Sequence, residues 1–427
     1  MAWCPSIGTG LSDYHCQMTS ATLTSSPANS ASFKQDAKVI GLVGLAHASS
    51  HFSHLLLPLM YPVFMKEFGL SFSELGLLMT VFFVVSGLGQ ATAGFVVDRF
   101  GARPVLYFSM CMFVLVCILA SMATGYGWLM LVAVLAGLGN SPFHPVDFTI
   151  LNQRVSPPRL GHAFSAHGLT GNLGWAVAPV FMVGITALSS WRTAYVAAAL
   201  LYAGILLLLV LQREQLHTEV VIQHPGKKAG NDLAFMKLPV VWWCFAFFLL
   251  STMTLGMVQN YAVSVLKAVH GVSFEAATMT LTAYMLCAAL GIFVGGFVAA
   301  RKSNSDTVVA SCMTVAAVFL ALCGTGIFGA LGTMVVLAAT GFAIGVGSPS
   351  RDMMIKKATP KGATGRVYGM VYSGFDVGFA VSPLVFGLLM DRGWYSATFF
   401  GAAIVLLLSV VAALSVGARV QRPVISA

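Results

Sequence analysis

From residue 39 onward the chain is a succession of apolar runs, most about 20 residues or longer. That is the length needed to cross the hydrocarbon core of a bilayer. Twelve runs are expected to span, near 39–64, 74–97, 104–123, 127–152, 160–186, 191–212, 239–264, 274–300, 306–329, 331–350, 365–389 and 394–418. The chain is 58% hydrophobic and 9% charged, whereas soluble domains carry roughly 25% charged residues. So apolar a chain cannot cover its surface with polar groups in water, so lipid must be its solvent. The expected fold class is an all-α membrane protein. Its twelve transmembrane helices would form two pseudo-symmetric six-helix bundles.

The two halves are related by an internal repeat. Gly161-His-Ala-Phe-Ser-Ala-His-Gly-Leu-Thr-Gly-Asn-Leu-Gly-Trp-Ala-Val-Ala-Pro179 returns 204 residues later as Gly365-Arg-Val-Tyr-Gly-Met-Val-Tyr-Ser-Gly-Phe-Asp-Val-Gly-Phe-Ala-Val-Ser-Pro383. Gly174 and Gly378 coincide, as do Pro179 and Pro383, while Asn172 matches Asp376 in kind. A membrane protein of two similar halves has a central interface, which is where transporters bind cargo. The longest polar connection runs from Gln212 to Lys237 and separates six spans from six. The expected division is a Ser/Thr-rich disordered tail at 1–38, a bundle at 39–212, a linker at 213–238, a bundle at 239–418 and a tail at 419–427. Nothing before Met18 looks structural, so Met18 is an alternative start.

The net charge of +9 does not point to nucleic acid, because Lys and Arg recur in short clusters between apolar runs. With both termini on one side, that side receives 19 of the 23 Lys and Arg residues and the other receives 4. The positive-inside bias places both termini in the cytoplasm, as expected of a multi-pass protein of the cell (inner) membrane. The eight cysteines are scattered and include no Cys-x-x-Cys, so neither a disulfide framework nor a zinc site is indicated. No Walker loop is present. No cofactor is expected, no enzyme chemistry is visible, and energy must come from an ion or substrate gradient.

Between spans two and three stands Gly94-Phe-Val-Val-Asp98-Arg99-Phe-Gly101-Ala-Arg103-Pro104. An acid here runs against a plain positive loop. The segment resembles the signature loop of the major facilitator superfamily, with Gly94, Asp98, Arg99, Gly101 and Arg103 on its key positions. That resemblance implies the major facilitator fold and makes Asp98 a latch between the bundles. In the second half, Ala300 replaces the acid. Span five, Gly171-Asn-Leu-Gly174-Trp-Ala-Val-Ala-Pro179, resembles the antiporter motif of that superfamily, with Ala178 where the family has glycine. Physically, Gly174, Pro179, Gly378 and Pro383 serve close helix packing and bending. Phe143-His144-Pro145, followed by Gly161-His-Ala-Phe-Ser, looks like the fosmidomycin-resistance efflux branch. The first span looks like it too, with His51 where relatives tend to carry Asp.

Ionisable groups inside a membrane are costly unless paired or wetted, so they mark a function or a partner. The offset of 204 sets Asp147 against Arg351, which are expected to approach across the pseudo-symmetry axis. Asp376 is the deepest acid, in mid-span eleven, with the neutral Asn172 as its counterpart. His47, His51 and His54 fall at i, i+4 and i+7 on one helix face, with His144, His162 and His167 in the same half. Imidazole titrates near physiological pH, which suits a proton relay; it can also hold a metal, although no metal site is assigned. The substrate- and proton-coupling set is therefore Asp376, Asn172, His47, His51, His54, His144, Asp147 and Arg351.

The function favoured is secondary active transport by alternating access: proton-coupled efflux of a drug-like or metabolite molecule by a monomer in the lipid bilayer. One alternative is uptake of a nutrient or of copper ion. Met253-x-x-x-Met257 is similar to a span-seven motif of copper importers in the superfamily, but Leu281-x-x-x-Met285 stands where they carry His-x-x-x-Met. A transport-inactive membrane sensor is the alternative of another class.

Overall fold

The computed structural model describes residues 33–219, 234–301, 304–358 and 364–420, without the side chains of 91, 98, 161, 234, 235, 300 and 364–369. Among the described residues there is no strand. The helices are α1 (Phe33–Leu55), α2 (Tyr61–Phe68), α3 (Phe72–Phe100), α4 (Ala102–Ser121), α5 (Tyr126–Asn140), α6 (Phe143–Arg154), α7 (Leu160–Leu188) and α8 (Trp191–Leu211) in the first half. The second half contains α9 (Pro239–His270), α10 (Phe274–Arg301), α11 (Ser305–Thr325), α12 (Gly329–Ala358), α13 (Thr364–Asp391) and α14 (Tyr395–Val420). Twelve spans result, because α1 and α2 share one span and α5 and α6 share another.

Both breaks occur at prolines. Pro58 and Pro62 interrupt the first span, and Pro142 interrupts the fourth two residues after Asn140. Proline removes an amide donor and frees a carbonyl upstream, which lipid cannot satisfy. In the 3-10 turn at the first break Met60 N bonds Leu57 O, and the Leu56 carbonyl left over accepts from Tyr195 Oη at 2.7 Å. Other ends are closed by local chemistry. Ser71 and Glu74 form a capping box at the start of α3. Gly101, at φ 83°, turns the chain between α3 and α4 in a conformation that glycine adopts freely.

The repeat is visible as paired geometry. A Cβ at Gly174 would strike the carbonyl of Ala48 on α1, and one at Gly378 would strike that of Leu249 on α9. Two equivalent glycines therefore let α7 and α13 lie against spans one and seven. Thr282 Oγ1 of α10 donates to Ala176 O of α7 at 3.3 Å, and Thr80 Oγ1 of α3 donates to Ala380 O of α13 at 2.7 Å. Both bonds join the halves, and each acceptor lies three residues before Pro179 or Pro383. Overpacking a tight helix contact costs about 1–3 kcal/mol. Gly174→Leu should therefore lower the melting temperature in detergent, whereas Gly184→Leu, where open space surrounds the site, should not. Equal melting temperatures would show that α7 is not held by close approach.

Helix α1 begins at Phe33, six residues before the expected bundle start at 39. Asp36 is fully buried there. Its carboxylate accepts from Ser156 N at 3.2 Å, Ser156 Oγ at 2.5 Å and Arg159 Nη1 at 2.6 Å. The ion pair ties the start of α1 to the α6–α7 connection, so these residues belong to the helix rather than to a tail. Residues 1–32, most of the linker and residues 421–427 lie outside the described residues.

Candidate functional site

The histidine stripe on α1 faces the interior of the first bundle. His47 Nδ1 lies 3.0 Å from Asp147 Oδ2, and His167 Nε2 lies 3.1 Å from the same oxygen. Asp147 is fully buried, His47 is 2% exposed and His167 is 6% exposed. The Pro142 break places Asp147 on the second turn of α6, facing α1 and α7. The rings of His47 and His167 stack with centroids 3.5 Å apart, and His51 packs 4.5 Å from His47 and 4.1 Å from Trp175.

His54 is different from the rest of its stripe. Trp175 Nε1 can only donate, and it reaches His54 Nδ1 at 3.3 Å. The ring proton therefore sits on Nε2, which donates to Asn140 Oδ1 at 3.2 Å. Asn140 also accepts from Ser50 Oγ at 2.6 Å and donates to Ser86 Oγ at 2.9 Å. This satisfied network pins a neutral imidazole. His54, expected in the coupling set, has both ring nitrogens engaged in this network.

A bridge between the halves runs through a residue absent from the expected set. Gln90 Oε1 accepts from His144 Nδ1 at 3.0 Å, and Gln90 Nε2 donates to Asp376 Oδ2 at 3.3 Å. One amide thus joins α6 of the first bundle to α13 of the second. Among the described residues no cation pairs with Asp376. Beyond it, away from the termini, lies an aromatic floor in which Phe83 of α3 stacks on Phe379 of α13 at 4.5 Å, with Trp175 alongside. A lone Gln in an apolar helix is a signal of the same kind as Asp376 and could have been singled out in the sequence. His167, a hydrogen-bond partner of Asp147, is also absent from the expected set.

The expected approach of Asp147 to Arg351 is not formed. Asp147 is held by two histidines of its own bundle. Arg351 turns to its neighbour Asp352, with Nε 2.9 Å from Oδ1, and its guanidinium lies 5.2 Å from the Phe248 ring centroid. Each charge found a closer partner than the one across the axis. Asn172 donates to Gly168 O of its own helix at 3.1 Å and does not join the cluster. Met253 and Met257 are buried in the core.

The bundles are zipped at the face away from the termini. Tyr61 Oη donates to Leu75 O at 2.7 Å and lies 3.2 Å from Asn260 Oδ1 of the other half, and Tyr261 Oη donates to Pro383 O at 2.7 Å and lies 3.3 Å from Phe72 O of the other half. Asp391, at the end of α13, accepts from Phe72 N at 2.7 Å and Ser73 N at 2.9 Å, the first free amides of α3. At the opposite face, Gly94 and Gly101 sit at the end of α3, Arg99 is exposed, and Arg103 Nη1 donates to Arg213 O at 3.3 Å within its own half. The Asp98 side chain lies outside the described ones. Asp391→Asn keeps the shape of the cap but removes its charge. It should raise thiol labelling from the face away from the termini by about three- to tenfold, as expected for losing charge-assisted bonds. Unchanged labelling would leave the seam to the tyrosines and threonines.

The sequence model described as Major Facilitator Superfamily matches residues 43–279 and 250–425. The chain is 24% identical over 359 residues to the fosmidomycin resistance protein of Escherichia coli (strain K12), covering 83% of this chain and 86% of that protein. It is 22% identical over 411 residues to the hexuronate transporter of Bacillus subtilis (strain 168), covering 92% and 96%. Its fold matches the crystal structure of the nucleoside transporter NupG with a TM-score of 0.72 at 15% identity, covering 90% of this chain and 99% of that one.

Proposed function

The chain belongs to the Major Facilitator Superfamily, as a transporter of small molecules rather than an enzyme, and we propose that it is a proton-coupled exporter with Asp376 as its proton carrier. The observation that carries this is the Gln90 amide, held between His144 of one bundle and Asp376 of the other. A carboxyl with no cation beside it crosses the membrane interior at far lower cost with a proton than as a charge. When Asp376 gains or loses that proton, its bond to Gln90 changes, and this bond is part of the seam that must open and close. Chemistry at the acid is thereby tied to movement of the bundles.

Export of a drug-like or metabolite molecule is supported by likeness to the fosmidomycin resistance protein over most of both chains. The Lys and Arg asymmetry supports cytoplasmic termini in the cell (inner) membrane, and a monomer is sufficient for the cycle. On that orientation the zipped face is the outer one, and Asp98 acts as latch in the opposite state. The test is flux in proteoliposomes with an imposed pH gradient, using fosmidomycin and hexuronate as first cargoes. Movement of cargo against the proton gradient is expected. Movement with the proton gradient would reverse the direction, and flux indifferent to the gradient would end the coupling.

A further inference from the structure

We propose that His47, Asp147 and His167 form a binding site for a divalent transition metal of the Zn2+, Co2+ or Ni2+ type, inside the first bundle and separate from the carrier acid. One ligand atom from each residue, two imidazole nitrogens and a carboxylate oxygen, lies within 4.8 Å of the other two, and all three residues are buried. They come from α1, α6 and α7, so an ion here would tie three helices of one bundle without crossing the seam. This donor set suits borderline cations, while Mg2+ and Ca2+ prefer shells of oxygen.

A second observation concerns what the three residues leave undone. Both imidazoles crowd on Asp147 Oδ2, while Asp147 Oδ1 is buried with no partner. Next to them His51 Nδ1 is also buried without a partner. Buried polar atoms are normally satisfied, and each exception calls for a missing group. An ion among the three donors would take the charge of the carboxylate and the lone pairs of both rings at once. Three protein ligands leave a coordination position open. His144, which bonds Gln90, stands beside the three, its ring centroid 5.5 Å from that of His47.

Metal content can be read without any flux, so its failure is distinguishable from failure of proton coupling. Tag-free full chain in detergent would be stripped with a chelator and titrated with Co2+. One Co2+ per chain is expected, with visible d–d absorption of a low-coordinate nitrogen and oxygen site, displaced by Zn2+. His47→Gln and His167→Gln should each weaken binding by about tenfold or more, and His162→Gln, on an exposed histidine, should not. Should the variants fail to fold, X-ray absorption of the Zn2+-loaded wild type should show imidazole scattering. Absence of stoichiometric Co2+, equal affinity in the folded variants, or a shell without imidazole would overturn the site.

Discussion

Asp376→Asn is expected to abolish proton-driven accumulation while leaving expression and cargo exchange intact. Asn has nearly the shape of Asp and can still accept from Gln90 through its amide oxygen, so the bridge at 3.3 Å persists. It cannot carry a proton. A cycle that must load and unload a proton at this position therefore stalls, and uphill flux should fall by about 100-fold, or roughly 2.7 kcal/mol in the limiting barrier. Exchange of cargo across the membrane without net proton movement should survive, because the bundles can still rock with a neutral side chain in place. The two assays read separate steps. Uphill flux at the wild-type rate would remove Asp376 from coupling. Loss of exchange as well would make it a packing or cargo residue. Gln90→Leu gives a further check: it cuts the link to His144 but leaves the acid, and should slow both assays together.

The architecture was legible in the sequence because lipid imposes a coarse rule, long apolar runs with charge at their ends. The offset of 204 then placed Gly174 and Gly378 in equivalent helix contacts. The same offset misled at Asp147 and Arg351. Opposite charges at equivalent positions suggested a pair, but symmetry says only that two residues occupy matching places, not that they face each other. His47 and His167 on neighbouring helices lay closer to Asp147, and Asp352 was one residue from Arg351. The stripe of histidines was legible as a face, but the separate fates of its members were not. His47 meets an acid and His54 meets a tryptophan, and those partners are 100 and 121 residues away. Gln90 and Asp376 are 286 residues apart, and periodicity gives no indication that they meet.

Removing both imidazoles from Asp147 is expected to be the most destabilising change in the first bundle. In His47→Leu with His167→Leu, the carboxylate stays fully buried, with both hydrogen-bond partners replaced by hydrocarbon. Breaking a buried pair by deleting one side costs about 3–5 kcal/mol, because an uncompensated charge is left in a medium of low dielectric. Replacing the whole buried group by apolar residues of similar size is often neutral or better. The triple variant with Asp147→Leu should therefore melt well above the double variant and near the wild type. The effects are expected to be strongly non-additive, as for residues that share one network. Thermal unfolding of chelator-treated protein in detergent measures all of this. A triple variant no more stable than the double would mean that the histidines hold α1 and α7 by ring packing alone. Rescue would show that Asp147 sets the need for them: the acid makes two helices carry an imidazole at this depth.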